Sequence, residues 1–351
     1  MAPLPRRTAL ALVAAVGATT LAACSTGSTT EQVEAQSQTE VEADAFPVTI
    51  EHAFGETTIE EEPQRVATLG WTDQDNALAL GVVPVAATKL TWGGNDEGSS
   101  DWFDAELEAM DAEAPVRYDD ADGAPIEEVA QATPDLILAT NSGITEAEYK
   151  KLSKIAPVVA YPEAAWVTPW QTSLEMAGQA LGRSDLAADV ADETEATIAQ
   201  AREDNPEIQD KSVIFGFLST ADMSMAGFYM PQDPRVAILN DLGMTNPASI
   251  EALAKDGQFY GTVSAERASE LESDVFLTYG ETEDDLQTFT DDKLLGQIPA
   301  LESGHAYAEL DKELGLAVTN PSPLSVPVIV EDFLPHVVDA AEGRAMEGGG
   351  E

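Results

Sequence analysis

From Phe46 onward, short apolar runs alternate with amphipathic segments along almost the whole chain. Alternating positions around Val48–Ile50 and Thr57–Ile59 predict a short hairpin. Arg65 to Leu69 predicts a short buried strand, followed by Gly70 and a helix over 73–81 that stops at Gly81. A strand over 83–88 comes next, then a long polar loop carrying Trp92 and Trp102. A helix over 126–132, a strand over 135–140, a helix over 145–155 and a strand over 157–161 complete the first half. The alternation returns after residue 211, with a strand over 212–219, a helix over 234–243, a helix over 265–272 and strands over 274–279 and 305–310. A closing helix covers 325–341, with Pro335 as a candidate break. Strands alternating with helices predict parallel sheets covered on both faces, an α/β architecture.

One segment between the halves is different. Residues 184–205 contain no Gly or Pro, Ser184 suits an N-cap, and Leu186, Val190, Ile198 and Ala201 fall on one helical stripe. Such a helix runs roughly 30 Å. It makes a stiff connection between an amino-terminal lobe, 46–183, and a carboxyl-terminal lobe, 206–341, with a cleft expected outside the carboxyl ends of their strands.

Charge then removes several function classes. Asp and Glu number 64 against 17 Lys and Arg, a formal net of -47. Such a surface repels phosphate backbones, so nucleic acid is excluded as a partner, and it repels anionic lipid. A single cysteine forms no internal disulfide, and with three scattered histidines it builds no Cys/His zinc site. That cysteine, Cys24, ends the phrase Leu21-Ala22-Ala23-Cys24, after Arg6, Arg7 and the apolar stretch Ala9–Ala18. The arrangement resembles a bacterial lipoprotein signal. The resemblance implies that residues 1–23 are removed and that the Cys24 thiol carries the lipid anchor, on the extracytoplasmic face of the cell membrane. The Arg6-Arg7 pair suits either a general or a twin-arginine export route. Residues 24–45, rich in Ser, Thr, Gln and Glu, read as a flexible acidic tether, and 342–351 as a disordered tail.

Several phrases resemble the periplasmic-binding proteins of the iron-siderophore and vitamin B12 importers: "PQRVATLGWTDQDNALALGVVPVAA", "PIEEVAQATPDLILA", "ITEAEYKKLSKIAPVV", "QALGRSDLA", "VSAERASELESDVFLTY", "LLGQIPALESGHAYAEL" and "SPLSVPVIVEDFL". Together they span residues 48 to 340. The resemblance implies two Rossmann-like lobes bridged by a single long α-helix. It implies a monomeric receptor, not an enzyme, that takes a ferric siderophore and hands it to an ABC permease. The Fe(III) belongs to the ligand, and no intrinsic cofactor or protein-bound metal is expected. One exposed glutamate on each lobe docks on the permease in this family; the matching positions are Glu127 and Glu266. The family also places a ligand-contacting Arg or Trp six residues before the first of these. Ala121 stands there instead, and Arg117 or Tyr118 is expected to substitute.

Residues just after strand ends supply the candidate cleft. On the first lobe these are Trp71, Lys89, Trp92, Arg117, Tyr118, Asn141, Ser142 and Trp166; on the second, Met223, Met225, Tyr229, Arg235, Tyr260 and Tyr279. Aromatic walls with a few cationic donors suit a bulky complex that is apolar outside and oxygen-rich around iron. The strongly negative chain favours a neutral ferric hydroxamate or mixed-ligand complex over a triply anionic catecholate. Haem and cobalamin are alternatives on the same fold. The rival classes are a cell-surface hydrolase and a divalent-metal binder. Neither finds support in the motifs: there is no G-x-S-x-G, H-E-x-x-H, P-loop or G-x-G-x-x-G, and few histidines.

Overall fold

A computed structural model describes residues 37–254 and 257–344. The amino-terminal lobe opens with a hairpin, β1 (Val48–His52) and β2 (Gly55–Ile59). It continues as β3 (Val66–Thr68), α1 (Asp73–Ala79), β4 (Ala86–Thr88), α2 (Asp101–Ala109), β5 (Val116–Tyr118), α3 (Ile126–Ala132), β6 (Leu136–Ala139), α4 (Glu146–Leu152), β7 (Val158–Ala160) and α5 (Trp170–Leu181). Its five strands are all parallel, in the order β5-β4-β3-β6-β7. The strands are short and mostly buried, as expected for a sheet covered on both faces.

The long helix α6 is Ser184–Asp204 and turns Ala187, Thr194, Ile198 and Ala201 inward. The second lobe then runs β8 (Val213–Phe217), β9 (Met225–Tyr229), α7 (Pro234–Asp241), α8 (Ala248–Glu251), β10 (Tyr260–Ser264), β11 (Val275–Tyr279), α9 (Asp285–Asp291), α10 (Pro299–Glu302), β12 (Ala306–Glu309) and α11 (Lys312–Thr319). The closing helix is α12 (Val326–Val328), a π-helical turn over Ile329–Phe333, and α13 (Leu334–Ala341). Here the sheet is mixed. In the order β10-β9-β8-β11-β12, β8, β11 and β12 are parallel, while β9 pairs antiparallel with both β8 and β10. One apolar core joins both lobes through α5, α6 and the closing helix, with Leu136 and Leu174 at one end and Phe215 and Phe333 at the other. A shared core of this kind fixes the pose of the two lobes.

Several expectations require correction. The polar loop after β4 holds helix α2, with Trp102 on it; Phe103, Leu107 and Met110 form its inward stripe among acidic residues. The strands β5, β9 and β10 were not expected. The helix expected over 265–272 is a 3₁₀ turn, Ala265–Glu270. Residues 37–45, expected to belong to a flexible tether, form a strap bonded to the first lobe. Ser37 bridges to Val82, and the Glu42 amide donates to the Gly182 carbonyl at 2.9 Å. The buried Arg183 guanidinium holds this strap. Nε donates to Thr39 Oγ1 at 2.7 Å, and Nη2 donates to Ser37 Oγ at 2.6 Å and to Glu62 Oε1 at 3.1 Å. Gly81 and Gly182, both at positive φ, leave room for it. A Cβ at either would lie 2.5 Å from Thr39 or Val41. At the other end, Arg344 pairs with Asp339 at 2.6 Å. The signal segment, Cys24 and residues 345–351 lie outside the described residues.

Candidate functional site

Strand ends from the two lobes converge on a cavity of about 330 Å³. The β3–α1 loop brings Trp71 and the β4–α2 loop brings Trp92. The second lobe brings Tyr229 from the end of β9, Arg235 from the first turn of α7 and Tyr279 from the end of β11. Trp92 meets Tyr279 edge-to-face across the lobes, with centroids 5.2 Å apart. The seam between the lobes is tight beside them. A Cβ at Gly93 would lie 2.2 Å from the Lys312 carbonyl, and the Asp101 amide donates to Glu313 Oε1 at 2.7 Å.

Arg235 is the centre of the second lobe's wall. Its guanidinium carbon sits 3.8 Å from the centroid of the Tyr229 ring. Nη1 donates to the buried Asp233 at 2.6 Å, and Nε donates to the Tyr279 hydroxyl at 3.1 Å. Burial alone would weaken its charge, but Tyr279 and Asp233 outweigh burial and hold its pKa above the ordinary arginine value. Among the described residues, Nη2 has no hydrogen-bond partner. Two nitrogens fix the plane, and the third is presented to an acceptor.

The remaining walls were not expected. Glu281, Glu309, Asp311, Lys312 and Thr319 also line the cavity, and Lys312 pairs with Glu281 at 2.7 Å. Lys312 was discoverable as one of few basic residues in the chain. It follows a strand end and opens α11, a helix the apolar pattern after residue 310 did not reveal. Tyr279, by contrast, was among the residues expected after strand ends, and it lines the cavity.

Of the expected site residues, Trp71, Trp92, Tyr229, Arg235 and Tyr279 are brought together. The others are placed elsewhere. Arg117 lies inside its own lobe, over the Phe103 ring at 5.0 Å, where it donates to Gln74, to the Thr88 carbonyl at 3.1 Å and to Ser99 at 2.6 Å. Burial lowers its pKa. Tyr118 is 3% exposed and donates to the Thr68 carbonyl, so neither residue replaces the missing group at Ala121. Ser142 is buried and donates to the Ala139 carbonyl at 2.9 Å. Lys89 is exposed, its stem against Gly98. Trp166, at φ 64°, packs its indole over Gly143. Met225 and Tyr260 are exposed on β9 and β10 and do not line the cavity. Glu127 and Glu266 are exposed in the first turns of α3 and of the 3₁₀ turn.

The first lobe's loops are held from below by two buried carboxylates on α1. Asp73 accepts from the Gly70 amide at 2.9 Å, and from the Thr140 amide and hydroxyl. Asp75 accepts from Trp102 Nε1 at 2.8 Å and from Ser322 Oγ at 2.7 Å, which ties α1 to the segment entering the closing helix. Burial pushes both carboxyls up to about 6 against the pull of these hydrogen bonds.

Comparison with known proteins follows the same geometry. A family model described as periplasmic binding protein matches residues 66–313. The chain is 27% identical over 271 residues, 74% of this chain and 79% of the other, to the probable siderophore-binding lipoprotein YfiY of Bacillus subtilis. It is 25% identical over 279 residues, 76% of this chain and 85% of the other, to the ferric enterobactin-binding periplasmic protein FepB of Escherichia coli. Among solved structures, PiaA of Streptococcus pneumoniae in complex with ferrichrome superposes with a TM-score of 0.80 at 36% identity, over 84% of this chain and 99% of that one.

Proposed function

Because this chain belongs to the periplasmic binding protein family, we propose that it is the substrate-binding protein of an iron-siderophore ABC importer. It takes a ferric siderophore between its lobes and delivers it to a membrane permease. The family consists of transport receptors, and no catalytic step is assigned to the chain. The observation that carries this reading is the cavity itself: three aromatic walls and one tyrosine-stacked guanidinium with a nitrogen left over for an acceptor oxygen. Iron arrives as part of the ligand.

Charge favours the hydroxamate class. Arg235 and Lys312 face Glu281, Glu309 and Asp311, with Asp233 directly behind Arg235. A triply anionic complex would meet more carboxylates than cations there; a neutral one would not. The chain acts as a monomer, anchored through lipid on Cys24. Glu127 and Glu266, exposed one on each lobe, dock on the two permease subunits.

The test is a titration of tryptophan fluorescence in the full chain with ferric hydroxamates, ferric catecholates, haem and cobalamin. Trp71 and Trp92 line the cavity, so saturable quenching by a ferric hydroxamate and not by its iron-free form is the expected result. Quenching by haem or cobalamin alone would reassign the cargo. No saturable response to any of them would overturn the reading.

A further inference from the structure

The two lobes share one apolar core, so they keep one pose and do not part as rigid halves. The aromatic cavity between them, of about 330 Å³, stands at the lower end of the ~300–1,000 Å³ range of small-ligand sites. A bulky ferric complex therefore enters by moving a wall, and the walls are not equally fixed.

On the second lobe they are held. The Tyr279 hydroxyl accepts from Arg235 and donates to Thr319 Oγ1 at 2.7 Å, and Thr319 in turn donates to the Gly315 carbonyl. Helix α11 buries Leu314, Leu316, Ala317 and Val318. On the first lobe, the loop that carries Trp92 is held only at its stem. There the Leu90 amide donates to the Gly98 carbonyl at 2.9 Å, and Ser99 Oγ accepts from Arg117. The tip, 91–97, is bonded within its own lobe through Asn95, which accepts from the Glu97 and Ser99 amides and donates to Asp104. Among the described residues no hydrogen bond from 91–97 crosses to the second lobe. What crosses is the indole of the half-buried Trp92. It meets Tyr279 edge-to-face, and its far end rests on Gly315. A Cβ on Gly315 would lie 2.9 Å from Trp92 Cη2 and 3.1 Å from Tyr279 Cε1. Glycine weakens a helix, yet it stands inside α11 at the one point where the indole needs the space of a methyl group.

We propose that Trp92 is a latch. In the free protein its ring closes on Tyr279 and Gly315. A ferric siderophore displaces it from both, and the indole then packs on the ligand. The latched form competes with the ligand, so it lowers affinity in proportion to the molecules it holds shut. The inference rests on the siderophore-receptor reading and deepens it.

Gly315→Ala in the full chain is the test. The added methyl meets the free end of the indole on one side and the hydrogen-bonded Tyr279 on the other, so the indole yields. Without ligand, tryptophan emission shifts to the red and acrylamide quenching rises. In stopped-flow fluorescence with ferrichrome, association speeds about fivefold, the worth of one edge-to-face pair. Dissociation stays within about twofold, so Kd tightens with the association rate. A glycine that only served packing would not tighten binding when replaced. Trp92→Leu, too short to reach Gly315, speeds association as well and also speeds dissociation, with Trp71 as the remaining reporter in the cavity. It carries the comparison if Gly315→Ala loses cooperative unfolding. Unchanged association in both variants would mean that ligand enters past a fixed Trp92, and overturns the inference. So does slower association with weaker binding in Gly315→Ala, which would place the methyl in the ligand's own space. Failure of the wild type to bind ferrichrome or any other ferric hydroxamate would bring down the receptor reading itself, and the latch with it.

Discussion

In the amino-terminal lobe, the loops that end in the cleft are tied from beneath by buried polar side chains. In the carboxyl-terminal lobe they are held by packed aromatic rings. Asp73 fastens the turn before α1 to the loop after β6, and Asp75 reaches Trp102 and Ser322. Opposite them, Tyr229, Phe215 and Tyr279 pack as a ring cluster, with centroids 5.2 and 5.9 Å apart along Phe215–Tyr279 and Phe215–Tyr229. Arg235 lies on that surface. The sheets differ in the same sense. The all-parallel sheet places all its strand-to-helix loops at one end, where backbone amides need acceptors. The mixed sheet brings β9 back along β8 and offers flat aromatic surface instead. One lobe therefore depends on hydrogen bonds that cannot be left half-made, the other on area.

The largest expected effect breaks the polar side of this comparison. Asp73→Ala leaves the Gly70 and Thr140 donors without an acceptor in a buried site and destabilises the protein by roughly 3–5 kcal/mol in chemical denaturation. A loss under ~1 kcal/mol would show that the loops are held by packing after all. On the aromatic side, Arg235→Ala weakens ferric ligand binding by about 100-fold, the loss of a charge-assisted contact. It also destabilises, because Asp233 is left buried and unpaired. Removing both, in Arg235→Ala/Asp233→Ala, restores stability toward wild type while binding stays weak; recovery of binding in the double variant would remove Arg235 from the site.

A smaller effect sharpens the contrast through pH. The folded pKa of Asp75, about 6, is raised above its unfolded value. Its favourable contribution is thus fully present below pH ~4 and is lost as pH rises through ~6. Asp75→Asn keeps an acceptor for Trp102 and Ser322 without the charge. Its stability relative to wild type should therefore increase by roughly 2–3 kcal/mol between pH 4 and pH 7. A flat difference across that range would mean that Asp75 is ionised without penalty. The smallest effect concerns neither lobe's interior. Glu127→Gln and Glu266→Gln change stability by under ~0.5 kcal/mol and leave ligand binding intact, while cellular iron uptake falls. Normal uptake in the double variant would end the docking assignment.

The contrast also explains what the chain reveals before its structure is known. The aromatic residues Trp71, Trp92 and Tyr229, and the basic Arg235 near them, are legible: each follows or flanks an apolar run, and all four reach the cavity. The polar framework is not legible. Arg117 is as scarce a basic residue as Arg235, but it lies within β5, and its partners Gln74, Thr88 and Ser99, distant in sequence, turn it inward. The helix α2 was hidden because Asp101, Asp104, Glu106 and Glu108 make its segment look like a loop, although Phe103, Leu107 and Met110 keep a helical stripe. Strands β9 and β10 were missed for a related reason. An antiparallel pair inside an α/β lobe breaks the alternation by which the rest was read. Lys312 and Glu309 join the site only through β12 and α11, whose placement depends on the whole sheet.

The strap of residues 37–45 bears on where this protein can be cut. Arg183 is 1% exposed, and two of the side chains that receive its guanidinium, Ser37 and Thr39, belong to the strap. A chain begun at Phe46 keeps every strand and helix of both lobes, yet leaves that guanidinium with only Glu62 and the Leu181 carbonyl in a place water scarcely reaches. A self-sufficient receptor keeps Ser37 and Thr39, and a protease that shaves the molecule from its surface yields an intact binder only if it spares them.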